Sequence, residues 1–194
     1  MRSGIRAAFP FATGVFLLAC GLALAQGQEA ISDRVPPAAV PGKVPLLGAG
    51  AAAPAFRLAD VLGANYSYGE KERKKPLLLA FFSIFCLPCR ADLTVLQKIQ
   101  EKYGGSDLEV AAVSLDGEVL KATVAGFAKQ ERYTFRVLLD GGDRKQVFPV
   151  ADSYRVTEMP TVYLVDRGGR IAFAGTGRVG EDMIEKIVQA VLKN

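Results

Sequence analysis

The chain has 194 residues, half of them hydrophobic, with 24 basic against 20 acidic side chains and a formal net charge of +4. A balance so close to neutral implies no nucleic-acid partner. There is no histidine and there are three cysteines, too few nitrogen and sulfur ligands for a complete protein zinc site, so no metal site is expected.

Arg2 and Arg6 precede an uncharged, largely apolar stretch over residues 7–25 that closes on Ala23-Leu24-Ala25. The pattern predicts an export signal over residues 1–25. Pro10, Gly14 and Gly21 interrupt it, and its length barely spans ~30 Å of hydrocarbon, which makes a permanent membrane anchor the weaker reading. Two processing modes fit: cleavage after Ala25, or lipid attachment at Cys20, because Leu17-Leu18-Ala19-Cys20 resembles a lipoprotein cleavage box. Either one removes or consumes Cys20 and leaves the other two cysteines as a pair. The expected location is the periplasm or the outer face of the cell membrane, with a lipid anchor in the second mode.

Residues 26–53 carry Pro36-Pro37, Pro41 and Pro45 among many alanines and glycines. Such a stretch has little to pack and is stiffened by proline, so it reads as a linker. Residues 54–194 have the length and apolar content of one domain. Within it, Lys71-Glu72-Arg73-Lys74-Lys75 is read as a solvated turn.

Leu77-Leu78-Leu79-Ala80-Phe81-Phe82 is apolar without alternation, as a strand covered on both faces requires. After Cys86 the spacing turns helical through Leu93, Leu96, Ile99 and Tyr103, and Gly104-Gly105 supplies the stop. Residues 108–115 predict a further strand, residues 118–130 a helix with Val119, Val124 and Phe127 on its apolar face, and residues 135–139 another strand. This strand–helix–strand order implies parallel pairing by right-handed crossovers. A brief helix over residues 149–154 enters at a proline. Residues 161–165 and 171–174 flank the glycine-containing loop 166–170 and predict an antiparallel hairpin. Ile184, Ile187, Val188, Val191 and Leu192 then mark an amphipathic helix over residues 181–193. The expected fold is a three-layer α/β/α sandwich with a mixed central sheet and a C-terminal antiparallel hairpin.

Cys86-Leu87-Pro88-Cys89 falls where a strand ends and a helix begins. A sulfur facing a helix N-terminus is stabilised as thiolate, and such sites lower a thiol from ~8.5 to ~7 or below. Cys86, the outer sulfur, is suited to attack a disulfide, and Cys89, one turn inward, to resolve the mixed disulfide. Pro88 starts the helix where its missing N–H costs nothing. No cofactor is needed beyond the Cys86–Cys89 disulfide itself. Arg90 is placed to add positive potential, although solvation is the commoner use of such a residue. An inert disulfide and a two-coordinate copper(I) site are the other uses open to two such sulfurs.

With this motif and Met159-Pro160-Thr161 ahead of a hairpin strand, the domain resembles the thioredoxins, and most closely their bacterial envelope branch typified by TlpA and ResA. Phe81-Phe82, Val113-Ser114-Leu115-Asp116, the run from Tyr154 through Arg155-Val156-Thr157-Glu158, and Leu164-Val165-Asp166-Arg167-Gly168-Gly169-Arg170-Ile171 carry the rest of the likeness. The resemblance implies a thiol–disulfide oxidoreductase that reduces disulfides in exported proteins, cytochrome c maturation being one such task, and that is recharged by a membrane-embedded electron donor. It further implies a cis bond before Pro160, substrate contacts by Met159 and Thr161, and support of the site by Phe85, Leu87, Pro88, Met159 and Pro160. Phe85 stands where most relatives have tryptophan, and Ala80 where cytosolic thioredoxins bury an acid that serves the second cysteine. No replacement acid is readable; Glu158 is nearby in sequence but expected at the surface. Besides the copper(I) carrier, a peroxiredoxin-like peroxidase is an alternative, since Ser83 lies three residues before Cys86; against it, Leu79 takes the place where that family has proline.

Overall fold

The computed structural model describes residues 45–69, 75–105, 107–141 and 147–193. The expected export signal with Cys20, the linker up to residue 44 and residues 71–74 of the basic cluster lie outside the described residues. No helix among the described residues is long and apolar enough to cross a membrane.

Seven strands form one sheet: β1 (Phe56–Asp60), β2 (Asn65–Tyr68), β3 (Leu77–Phe82), β4 (Glu109–Ser114), β5 (Arg136–Leu139), β6 (Thr161–Val165) and β7 (Ile171–Thr176), in the order β2-β1-β5-β4-β3-β6-β7. The pairs β3–β4 and β4–β5 are parallel and the remainder antiparallel. The helices are α1 (Leu87–Tyr103), α2 (Lys121–Gln130), α3 (Pro149–Ser153) and α4 (Glu181–Leu192).

Every residue of β3 is buried, because the strand is covered on both faces. Leu78, Ala80 and Phe82 pack with Leu93, Leu96 and Ile99 of α1, Val124 of α2, and Ile184 and Val188 of α4. Leu77, Leu79 and Phe81 face the other core, with Tyr163 of β6, Val150 of α3 and Tyr154 just after that helix. The period of two along the strand thus feeds two cores at once. This is the expected mixed α/β sandwich with its C-terminal hairpin.

Three features depart from the sequence reading. The antiparallel pair β1–β2 has no counterpart among the expected elements, because FRLAD and NYSY are short and lack an apolar run. Its turn is built by Asp60, whose Oδ1 accepts the Leu62 and Ala64 N–H groups at 2.9 and 2.8 Å. Residues 45–53, assigned to the linker, instead lie on the domain: Gly50 N–H donates to Ile171 O, Ile171 N–H to Ala51 O and Ala53 N–H to Gly169 O at 2.8–2.9 Å. Leu46 and Leu47 pack on the second core, which gives that edge of the domain the apolar cover a short α3 cannot supply. Finally, residues 118–120 form a separate 3-10 turn and Val119 is exposed, so it is no part of the α2 apolar face.

Candidate active site

The C-terminal ends of β3, β4 and β5 share one edge of the sheet, and antiparallel β6 begins there. At the end of β3 the chain turns through Ser83, Ile84 and Phe85 into α1. Cys86 caps that helix: its N–H donates to Ser83 O at 3.1 Å, and its Sγ accepts the Cys89 N–H at 3.2 Å. Pro88 lies in the first turn, which holds no acidic residue. With no acid in that turn, the helix end offers its partial positive charge to a sulfur anion at Cys86.

Cys86 and Cys89 are joined by a disulfide of 2.03 Å with their Cα atoms 5.2 Å apart. Cys86 is half-buried, whereas Cys89 is 1 % exposed. An incoming nucleophile or disulfide therefore meets Cys86 first. Phe85 and Leu87 flank it and are 73 % and 75 % exposed. The Phe85 ring thus stands out into solvent and forms an apolar apron with Leu87. Arg90 is spent elsewhere: its guanidinium lies 4.9 Å over the Phe127 ring and 3.6 Å from Glu131 Oε1.

The Met159–Pro160 bond is cis. Thr161 pairs with Phe81 across β6–β3, so Pro160 sits against the last residue of β3, at the edge from which the cysteine turn departs. Pro160 O accepts the Gly177 N–H at 2.8 Å, and Met159 is partly exposed. Thr161 corrects an expectation: it is fully buried and its hydroxyl donates to Glu158 O at 2.6 Å. Its side chain shapes the Met159–Pro160 turn and has no surface left for substrate.

Ala80 is buried in β3 without an acid there, but an acid is present one turn beyond the motif. Asp92 is 1 % exposed on the face of α1 that carries Cys89 and Leu96. Its Oδ2 accepts the Val179 N–H at 3.3 Å, while Oδ1 has no hydrogen-bond partner and lies 3.6 Å from Arg178 Nε. Burial pushes its carboxyl above the ordinary value, opposed by the Val179 N–H and by Arg178. The sequence held a signal for it: three residues after Cys89 and four before Leu96 is a position on the buried stripe. Glu158 is exposed.

A cavity of about 530 Å³ lies between α2, β5 and the β1–β2 turn, lined by residues such as Asp60, Lys129, Tyr133 and Arg136, and includes no motif residue. Of the two cysteines, Cys86 alone meets solvent, beside the exposed Phe85 and Leu87, while Cys89 is buried behind it. Among the described residues no cluster of three or more His, Cys, Asp or Glu is placed to hold a metal ion.

A family model described as the AhpC/TSA family matches residues 49–174. The chain is 28 % identical over 142 residues to the thiol–disulfide oxidoreductase ResA of Geobacillus kaustophilus, covering 73 % of this chain and 77 % of that protein. It is 28 % identical over 186 residues to ResA of Bacillus subtilis, covering 92 % and 90 %. Among solved structures, a Chlorobium tepidum protein described as a candidate thiol:disulfide interchange protein DsbE superposes with a TM-score of 0.64 at 28 % identity, over 75 % of this chain and 99 % of that one.

Proposed function

Because the chain belongs to the AhpC/TSA family and has a thioredoxin-like fold, we propose that it is a thiol–disulfide oxidoreductase that reduces disulfides in exported proteins through Cys86 and Cys89. One observation carries the reading: a half-exposed sulfur caps a helix and is bonded to a buried sulfur three residues on. That arrangement gives one thiol for attack and one for resolution.

In the cycle, the Cys86 thiolate attacks one sulfur of the substrate disulfide, and the other sulfur leaves as a thiolate that takes up a proton. Cys89 then loses its proton and attacks Cys86 Sγ, which frees the second substrate sulfur as a thiol. Two electrons pass from the protein to the substrate, with one proton from Cys89 and one from solvent to replace the proton Cys86 gave up on ionising, and the Cys86–Cys89 disulfide remains. Asp92, buried on the same helix face as Cys89, is the group we assign to accept the Cys89 proton, with its raised affinity for protons matching that task. Met159 and the backbone beside cis-Pro160 are the assigned substrate contacts, with Phe85 and Leu87 as apolar flanks. The cycle uses no bound cofactor.

A peroxidase reading finds less support, since the Ser83 hydroxyl donates to Asp116 at 2.6 Å and is not free for a peroxide. The proposal extends to place and partners. Residues 1–25 act as an export signal, Cys20 or a cut after Ala25 sets the mature end, and a membrane-embedded donor regenerates the dithiol, with cytochrome c maturation as one use. The mass of the mature N-terminus separates lipid attachment from simple cleavage.

The roles are tested with a disulfide-bonded protein substrate. Cys86→Ser is expected to drop reduction to background, and Cys89→Ser to accumulate a mixed disulfide through Cys86. Full turnover by the Cys86 variant would remove the assignment.

A further inference from the structure

Resting on the reading above, we propose that Asp116 is a positioning residue: from the end of the neighbouring strand it clamps turn 83–86 and so holds the Cys86 sulfur against the N-terminus of α1. Asp116 lies two residues past the end of β4, and β4 pairs with β3 up to Phe82↔Ser114. Its carboxylate therefore projects from the strand beside the one that launches the turn.

The bonds run without a break from Asp116 to the Cys86 backbone N–H. Asp116 Oδ1 accepts the Ser83 hydroxyl at 2.6 Å, and Oδ2 accepts the Ile84 N–H at 3.0 Å and the Ser114 hydroxyl at 2.6 Å. Ser114 Oγ in turn accepts the Asp116 N–H at 3.2 Å, which fixes the carboxylate on its own strand. Ser83 passes the restraint on: its Oγ accepts the Phe85 N–H at 3.2 Å and its carbonyl accepts the Cys86 N–H at 3.1 Å. Three donors converge on Asp116, and a carboxylate is the side chain that only accepts. The isosteric amide would aim a donor at one of them.

The turn so fixed sets where Cys86 Sγ meets the Cys89 N–H, the contact that favours its thiolate. Without the clamp the sulfur spends less time at the helix end, and its thiolate is less favoured. A purely electrostatic role for Asp116 predicts the reverse, because removing a nearby negative charge favours the anion. The two roles are thus separable by sign.

The test is the pH profile of Cys86 alkylation by iodoacetamide in the reduced full chain, for wild type, D116N and S83A, with melting temperatures measured alongside. S83A keeps the charge and removes one link of the clamp. Expected are profiles displaced to higher pH in both variants and alkylation at neutral pH slowed by about threefold or more, at a temperature where both are folded. An unchanged profile with only the melting temperature lowered would overturn the proposal. So would a shift to lower pH in D116N with S83A unchanged. Should D116N fail to fold, S83A carries the same comparison. An ordinary thiol profile for wild-type Cys86 would instead count against the exchange function, whatever the variants do.

Discussion

In the proposed cycle, Asp92 and the cysteine pair divide the chemistry between a non-local contact and a local motif. Cys86 and Cys89 are legible in the sequence because two thiols three residues apart at a strand-to-helix junction carry their meaning in short spacing, whereas the cis bond before Pro160 is legible only through the family resemblance. For Asp92 the sequence shows the position on the buried stripe but not its partners, because Arg178 and Val179 lie 86 and 87 positions further on. Its raised proton affinity has a consequence for stability. The folded chain keeps a proton on Asp92 that the unfolded chain releases at the ordinary carboxylate value, so this group weakens folding as pH rises from that value through the raised one. Below the ordinary value the penalty vanishes. Asp92→Asn is therefore expected to unfold at higher urea concentration than wild type at pH 7, with the gap closing in acid. In stopped-flow assays the same variant should resolve mixed disulfides about 10²-fold more slowly, as loss of a general base does. Faster or unchanged resolution would remove Asp92 from the cycle.

At the scale of elements, long apolar or periodic segments declared themselves, and short ones did not. β3, α1 and α4 were readable from their runs or stripes, while β1 and β2, each four or five residues long, gain their order from pairing with one another and with β5. The segment at residues 45–53 reads as linker by composition, yet its backbone finds partners at Ile171, the start of β7, and at Gly169 in the loop before it. A chain beginning at Pro54 loses those bonds and the Leu46 and Leu47 contacts. It should be less stable by about 3 kcal/mol than one beginning at Pro45, read from denaturant midpoints. Equal midpoints would mean the segment adds nothing to the fold. Asp140 makes a comparable junction: fully buried at the end of β5, it accepts the Gly141 N–H at 3.0 Å and the Ala151 N–H at 2.8 Å, tying the sheet to α3. Asp140→Ala leaves buried donors unpaired and is expected to cost about 2 kcal/mol, with Asp140→Asn milder because an amide oxygen still accepts.

Across the whole molecule, one strand buried on both faces organises two cores and delivers the cysteine turn at its end. The parallel neighbours β4 and β5 end at the same edge, so Asp116 and the residues assigned to meet a substrate share one rim of the sheet. The fold class followed from the order of periodicities along the chain, whereas the support beneath the site depended on which strand ends come to lie side by side. That adjacency is a property of the assembled sheet, which is why the Asp116 contacts escaped a linear reading.

The most direct test mixes the pre-reduced full chain with a disulfide-bonded protein, quenches with an alkylating agent and counts thiols by mass on both partners. One Cys86–Cys89 disulfide should form for each substrate disulfide opened. Substrate left oxidised while Cys86 and Cys89 both stay free thiols would contradict it.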